Sequence, residues 1–140
     1  MEIMHGTAVE LGGKAVLIKG KSGSGKSSLA LKLVILGANL VADDRVLVFL
    51  NNKKIFLKAP KTLPTGIEIR GLGILNAPIC AQAPLALVVN LDETESQRFP
   101  DLSRKKIIIE GSSFPFLDFK GIRDQSSAIF ALLKYGVVDL

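Results

Sequence analysis

The chain contains the segment Gly20-Lys21-Ser22-Gly23-Ser24-Gly25-Lys26-Ser27, which matches the pattern G-x-x-x-x-G-K-[ST] in full. Glycines in such a loop let backbone N–H groups turn toward an anion without side chains in the way. A helix beginning near Lys26 would point its positive end at the same anion. Lys26 can reach the β- and γ-phosphates, and the Ser27 hydroxyl can bind Mg²⁺. The stretch therefore predicts a site for the phosphates of a nucleoside triphosphate.

The segments on either side of this glycine-rich loop (Gly20–Ser27) fit that interpretation. Lys14–Lys19 is a short apolar run bounded by glycine, which predicts a buried strand. Ser27–Leu36 is apolar nearly all round apart from Lys32, which predicts a helix enclosed by other structure, and Gly37 ends it. The loop is thus expected to connect a strand to a helix.

Strands dominate the remainder of the chain, and only one further helix is predicted. That helix begins at the N-cap Asp124 and runs through Tyr135. Loops are expected at Pro60–Pro64 and Pro78–Pro84. The predicted strands are Ile3–Leu11, Asn39–Ala42, the hairpin Arg45–Leu50 with Lys53–Lys58, Gly66–Ile69, Gly73–Leu75, Leu85–Leu91, Arg104–Glu110 and Ser113–Phe119. The fold class that follows is α/β, with a mixed sheet rather than a regular doubly wound one.

Length and composition set the outer bounds. The chain has 140 residues, 48% of them hydrophobic, which indicates one globular domain and excludes intrinsic disorder. One cysteine, Cys80, excludes a disulfide framework. The longest apolar stretches are about half of what a bilayer requires, and the first residues do not resemble a signal peptide, so we expect a cytoplasmic protein with no membrane partner. The net charge of +5 suits a phosphate ligand, but the lysines are spread out, which argues against nucleic acid.

Phosphoryl transfer needs carboxylates, and two acidic pairs compete for that role. Asp43-Asp44 follows the predicted strand after the loop's helix, whereas Asp92-Glu93 follows the apolar run Pro84–Leu91. Asp43-Asp44 could instead be an ordinary turn at the end of a strand, because aspartate favours turns. The chain lacks an N-K-x-D motif for reading guanine, which favours adenine as the base.

A further cluster is Glu68 to Ile74, which contains two charged residues and two glycines. Glu68 and Arg70 lie two positions apart and so share one face of a strand. Gly71 and Gly73 would let the backbone approach a ligand or partner closely. A surface ion pair before a turn is the alternative interpretation.

These motifs, in this order, resemble the catalytic domain of the HPr kinase/phosphorylase family. The resemblance rests on His5-Gly6, the glycine-rich loop, Val41-Ala42-Asp43-Asp44 and Glu68–Ile74, the last of which is similar to the family signature E-[IV]-R-G-[LM]-G-I. It favours Asp43-Asp44 over Asp92-Glu93 as the functional carboxylates. It also implies a nucleotide-binding core like that of phosphoenolpyruvate carboxykinase.

The resemblance implies a role for each matched residue. Lys26 would neutralise the transferring phosphate, and Ser27 with Glu68 would hold Mg²⁺. Asp44 would accept the proton of the target serine, with Asp43 assisting and His5 close to the phosphates. The family also uses a downstream arginine, for which Arg98 is the best match and Arg104 the alternative.

By this resemblance the chain is an ATP-dependent protein-serine kinase whose substrate is HPr, the phosphocarrier of the phosphotransferase system. Residues 1–140 would form one catalytic domain of the short, alphaproteobacterial type that lacks the N-terminal domain, assembled as a homo-oligomer, by analogy a hexamer. Lys120–Ser126 keeps at most Arg123 of the family's dephosphorylation stretch, so the reverse phosphorylase reaction stays open. Two other functions remain, a small-molecule kinase and a non-catalytic ATP-binding regulator.

Overall fold

A computed structural model describes residues 1–61 and 65–138. The described part contains eleven strands, two α-helices and one short 3-10 turn. In chain order the elements are β1 (Glu2–His5), β2 (Thr7–Leu11), β3 (Lys14–Lys19), α1 (Lys26–Ile35), β4 (Asn39–Ala42), β5 (Arg45–Asn51), β6 (Lys54–Lys58), β7 (Ile67–Ile69), β8 (Gly73–Leu75), β9 (Gln82–Asn90), a 3-10 turn (Leu102–Arg104), β10 (Lys106–Ile109), β11 (Ser112–Asp118) and α2 (Gln125–Tyr135).

Nine strands form one curled sheet that is organised around β9. The strand order is β1-β5-β6-β9-β3-β2-β4. β11 also pairs with β9, along the C-terminal part of that strand, and β10 pairs with β11. β3 and β11 run parallel to β9, whereas the other pairs in the sheet are antiparallel. The remaining strands, β7 and β8, make a separate antiparallel pair. The predicted fold class, a single α/β domain with a mixed sheet, is therefore confirmed.

The sheet changes direction where β1 continues into β2 and β4 continues into β5. The two continuous strands run side by side through this point, with His5 opposite Arg45 and Ala8 opposite Ala42. The N–H of Gly6 donates to the carbonyl of Asp44 at 3.0 Å. A Cβ atom on Gly6 would lie 2.9 Å from the carbonyl oxygen of Ile18, so only glycine allows the strands to approach this closely.

Apolar side chains pack on both faces of the sheet, because strand residues alternate in direction. On one face the two helices cover a core that includes Val16, Ile18, Leu33 and Ile129. On the other face the curled strands enclose a second core around Leu17, with Val46, Val48 and Leu57. Each buried aliphatic side chain of this size contributes roughly 1.5–3 kcal/mol relative to exposure.

Most predicted elements are present, with four differences. The single predicted strand Ile3–Leu11 is divided at Gly6 into β1 and β2, which pair with different strands. α1 is not enclosed on all sides: Ile35 and the C-cap residue Leu36 are 76% and 41% exposed, because only one face of the helix packs on the sheet. The predicted loop Pro78–Pro84 overlaps β9, which begins at Gln82. Arg104 belongs to the 3-10 turn rather than to a strand. The predicted loop Pro60–Pro64 lies partly outside the described residues.

Among the described helices, none combines the length and the apolar character that crossing a membrane would require.

Candidate functional site

The glycine-rich loop lies between β3 and α1, at the end of the most deeply buried strand of the sheet. Gly23 and Gly25 have φ angles of 84° and 101°, a left-handed conformation that favours glycine. Gly25 is also the N-cap of α1 and has no side chain to bond the N–H groups of the helix's first turn. The start of α1 therefore presents backbone donors and the positive end of the helix dipole to the adjoining cleft.

Lys26 folds back over the loop. Its side-chain ammonium donates to the carbonyl oxygen of Gly20 at 2.7 Å and to that of Lys21 at 3.2 Å. Lys26 is a buried charged residue, 8% exposed. Lysine is rarely so buried without partners, and these two carbonyls satisfy it while it stays within reach of the cleft.

Asp43 joins three separate parts of the chain. Its carboxylate accepts a hydrogen bond from the hydroxyl of Thr7 and another from the hydroxyl of Ser27, both at 2.9 Å. The other carboxylate oxygen accepts the backbone N–H of Glu68, also at 2.9 Å. Asp43 thus ties β2, the start of α1 and the signature segment Glu68–Ile74 together.

Asp44 adopts an unusual backbone conformation, with φ of 72°. Neighbouring residues of a regular strand point to opposite faces, but this left-handed residue lets Asp43 and Asp44 both line the same cleft. The Asp44 carboxylate is 63% exposed and lies 3.2 Å from Nε2 of His5. Non-glycine residues with positive φ often occur at functional sites, and Asp is among those that tolerate it.

The cleft between the glycine-rich loop, the two aspartates and the signature segment has a volume of about 660 Å³. It brings together most of the predicted site residues: His5, Ser22, Gly23, Gly25, Lys26, Ser27, Asp43, Asp44, Glu68, Arg70, Gly71 and Gly73. It also contains Thr7 and Ser28, which the motifs did not include, and Ile69 and Ile74, which belong to the signature Glu68–Ile74 but were given no role of their own. No pattern in the sequence marks Thr7, since its role depends on the position of Asp43 across the sheet.

Some predicted residues lie elsewhere. Gly20, Lys21 and Ser24 do not line this cleft but face the hollows on the other side of the loop. Arg98 lies outside the cleft, exposed, with its guanidinium over the ring of Phe99 at 5.1 Å.

The alternative arginine and the second acidic pair are also outside the cleft. Arg104 is 87% exposed and lies 3.5 Å from the carboxylate of Asp101. Asp92 lies behind the glycine-rich loop, where it accepts the N–H of Lys21. Arg70 is the arginine that lines the cleft.

The cleft offers oxygen donors that suit Mg²⁺. Ser27 donates its proton to Asp43, which leaves the lone pairs of its hydroxyl oxygen available to a cation, and the carboxylate of Glu68 is exposed beside it. Within residues 1–61 and 65–138, no three His, Cys, Asp or Glu side chains converge to hold a metal. Mg²⁺ usually takes one or two protein ligands and shares the rest with phosphates and water, so this donor set fits it.

Replacing Asp43 with alanine is expected to lower the free energy of unfolding by about 1–3 kcal/mol, because the buried hydroxyl of Thr7 loses its acceptor. Asp43→Asn keeps one acceptor oxygen and should fall between wild type and Asp43→Ala. Urea titrations of the three proteins followed by circular dichroism measure the differences. Equal stability of wild type and Asp43→Ala would show that these hydrogen bonds contribute nothing to the fold.

The ion pair between Lys105 and Glu95 should make stability depend on pH. Lys105 donates to Glu95 at 2.6 Å, which holds the pKa of the Glu95 carboxyl below its ordinary value and raises the pKa of Lys105. A carboxyl with a lowered pKa stabilises the folded state above its ordinary pKa and loses that contribution as the pH falls through the lowered value. The stability difference between wild type and Glu95→Gln should therefore shrink from pH 7 to pH about 3. Urea midpoints across this range test it, with Glu93→Gln as the matched control, and a difference that does not change with pH would contradict it.

The fold and the cleft define an α/β domain built around a strand, the glycine-rich loop and a helix. The family model described as HPr Serine kinase C-terminal domain matches residues 1–110 of this chain. The match covers most of the chain, and the protein therefore belongs to the HPr serine kinase family. β11 and α2 follow the matched region but contribute Leu117 and Ile129 to the core.

Two relatives show what the chain is similar to. It is 36% identical over 128 residues to a protein named HPr kinase/phosphorylase from Exiguobacterium sp., an alignment that covers 84% of this chain and 41% of that protein. The chain therefore spans less than half the length of this curated relative. A solved structure, that of the Hpr(Ser) kinase/phosphatase from Coxiella burnetii, superposes with a TM-score of 0.81 at 25% identity, covering 96% of this chain and 89% of the other.

Proposed function

We propose that this protein transfers the γ-phosphoryl group of ATP to a serine hydroxyl of HPr, the phosphocarrier protein. Membership of the HPr serine kinase family supports the proposal. The observation that carries it is the 2.9 Å hydrogen bond between Ser27 and Asp43. This contact puts the glycine-rich loop and the paired aspartates, 16 positions apart in the chain, into one cleft.

The loop would hold the phosphates of ATP. The backbone N–H groups of Gly23, Gly25, Lys26 and Ser27 suit the α- and β-phosphates, because they are directed donors with positive partial charge. The N–H of Ser24 donates instead to the carbonyl oxygen of Lys21 at 3.0 Å. Lys26 would exchange one of its loop carbonyls for a phosphate oxygen and so place its charge against the transferring group.

Mg²⁺ would be held by Ser27 and Glu68, with Asp43 orienting the Ser27 hydroxyl. When bound, the cation supplies neutralisation of negative charge on the β- and γ-phosphates. Both proposed ligands, Ser27 and Glu68, would bind through oxygen atoms, the type of ligand that Mg²⁺ prefers.

Asp44 would act as the general base. The serine oxygen forms a bond to the γ-phosphorus, the bond from that phosphorus to the bridging oxygen of ADP breaks, and the serine proton passes to the Asp44 carboxylate. At 63% exposure, this carboxylate can be reached by a protein substrate that approaches from solvent. His5, 3.2 Å away, would hold the carboxylate in place.

The same residues suit the phosphorylase reaction, in which an oxygen of inorganic phosphate bonds to the phosphorus of phosphoserine and the bond from that phosphorus to the serine oxygen breaks. Asp44 would return its proton to the departing serine oxygen, and the products would be pyrophosphate and unmodified HPr. The stretch Lys120–Ser126 corresponds to the one that the family associates with dephosphorylation. Its first two residues, Lys120 and Gly121, line a hollow on the side of the loop opposite the cleft, together with Lys21 and Ser24. Arg123 is exposed just before α2. We propose kinase activity as the main function, and a separate experiment tests the phosphorylase reaction.

The test is incubation of the protein with Mg²⁺ and ATP labelled at the γ-phosphate, together with a purified HPr-type phosphocarrier. We expect label in HPr as phosphoserine, and none in an HPr variant whose target serine is replaced by alanine. Binding of ATP without labelling of HPr would overturn the kinase proposal and favour a regulatory ATP-binding protein. Formation of labelled pyrophosphate from labelled phosphorylated HPr and added phosphate would show the phosphorylase reaction.

Three further expectations belong to this proposal. We expect the protein to act in the cytoplasm, where ATP and the phosphocarrier meet, and to form a homo-oligomer, for which sedimentation is the measurement. Arg98 stays a prediction as a catalytic residue, since it would have to move from its exposed loop to reach the cleft.

A further inference from the structure

Asp92 contacts the glycine-rich loop on the side opposite the cleft. It follows β9, the strand parallel to β3, and is half-buried. Both oxygens of its carboxylate lie 3.1 Å from the backbone nitrogen of Lys21, which donates its N–H to them. A hydrogen bond to an ionised carboxylate is about twice as strong as one between neutral groups.

The N–H that Asp92 holds belongs to the same peptide bond as the carbonyl that holds Lys26. The peptide bond between Gly20 and Lys21 is trans, since the described residues contain no cis peptide, so its C=O and N–H point in opposite directions. Its N–H donates to Asp92, and its C=O accepts from the ammonium of Lys26 at 2.7 Å. A rotation of this one peptide plane would therefore change both hydrogen bonds, the one to Asp92 and the one from Lys26.

We propose that Asp92 is a positioning residue that orients the Gly20–Lys21 peptide and thereby places the ammonium of Lys26 for the phosphates of the bound nucleotide. The inference rests on the proposed function, because it assumes that Lys26 meets a nucleotide. It assigns Asp92 a role different from that of a metal-binding or proton-accepting carboxylate.

Asp92 is itself held by polar contacts that fix its direction. Its backbone N–H donates to the side-chain oxygen of Asn90 at 3.1 Å, and the Asn90 amide donates to Asp118 at 3.0 Å. The ammonium of Lys105 lies 3.9 Å from Asp118 and 2.6 Å from Glu95. These contacts connect Asp92 to Asn90 at the end of β9 and to Asp118 at the end of β11, so the two strands hold the carboxylate that supports the loop.

The loop is thus held on two sides by different aspartates. Asp43 bonds Ser27 at the end of the loop that faces the cleft, and Asp92 bonds Lys21 at its beginning on the opposite side. Glu93, the neighbour of Asp92, is exposed, and its side chain takes part in none of the hydrogen bonds or ion pairs of the described residues. Glu93→Gln therefore provides a control with the same loss of charge one residue away.

The experiment compares wild type, Asp92→Asn, Asp92→Ala and Glu93→Gln by titration calorimetry with ATP and AMP. We expect Asp92→Ala to bind ATP about tenfold more weakly or worse, because the Lys21 N–H and hence Lys26 lose their orientation. AMP affinity should change little, since Lys26 reaches only the β- and γ-phosphates. Asp92→Asn, which keeps one acceptor, should recover part of the loss.

A second readout does not depend on activity. In ¹⁵N-labelled protein without nucleotide, the Lys21 amide should shift upfield in Asp92→Asn and more so in Asp92→Ala, and stay unchanged in Glu93→Gln. Equal losses of ATP and AMP affinity in Asp92→Ala, or an unshifted Lys21 amide, would overturn the positioning role. Failure of the wild-type protein to bind ATP would instead overturn the proposed function.

Discussion

Asp44→Asn is expected to reduce kcat for phosphorylation of HPr by about 10²–10⁴-fold, the usual contribution of a general base. Asparagine has the same shape and can still contact His5, but it cannot accept the proton of the serine hydroxyl. The KM for ATP should change little, because the Asp44 side chain is 63% exposed and its hydrogen bond goes to His5 rather than to the glycine-rich loop. Initial rates with labelled ATP and saturating HPr measure the effect.

The control for this variant is Asp101→Asn, which removes an exposed aspartate outside the cleft. It should leave kcat within the error of wild type. If Asp44→Asn kept more than a tenth of the wild-type kcat, the proton would have to pass to another group, and the assignment of Asp44 as general base would be wrong.

Lys26→Ala is expected to lower kcat/KM for ATP by about 10²–10³-fold, as removal of one preorganised donor to developing charge does. Expressed as a free energy, the loss in kcat/KM should exceed the loss in the free energy of unfolding. Lys26 donates only to loop carbonyls, and water can replace it there. Lys32→Ala is the matched control, since it removes a lysine from the exposed face of the same helix.

Two measurements separate the roles of Lys26. Titration with ADP reports the loss of ground-state phosphate binding, and single-turnover rates at saturating ATP report the loss in the transition state. Transfer at the wild-type rate in Lys26→Ala would exclude the lysine from the reaction. It would also remove the basis for a positioning role of Asp92.

The amino-acid sequence predicts the strand, loop and helix around the glycine-rich loop well. β3 has the predicted bounds, Lys14–Lys19, and α1 begins one residue before the predicted start. These elements follow from local rules, namely glycine spacing, a buried apolar run and a helix stop. The exposure of Ile35 could not be predicted, because an apolar sequence does not show which face of a helix a sheet will cover.

The predicted cleft residues are in place for a similar reason. His5, Asp43, Asp44 and Glu68 belong to short motifs whose order indicates a family, and the fold brings all four to one cleft. Thr7 was not predicted, since a threonine in a strand carries no local signal. Its hydroxyl matters only because the adjacent strands place it 2.9 Å from Asp43.

The amino-acid sequence alone predicts that a strand, the glycine-rich loop and a helix form one unit, with two acidic pairs as candidates to act beside it. The position of each pair depends on the order of the strands in the sheet. Asp43 follows β4, on the β2 side of β3, and reaches the cleft side of the loop, whereas Asp92 follows β9, on the other side of β3, and reaches the opposite side of the loop. This order is set by pairing between strands that are far apart in the chain, which no local sequence pattern predicts.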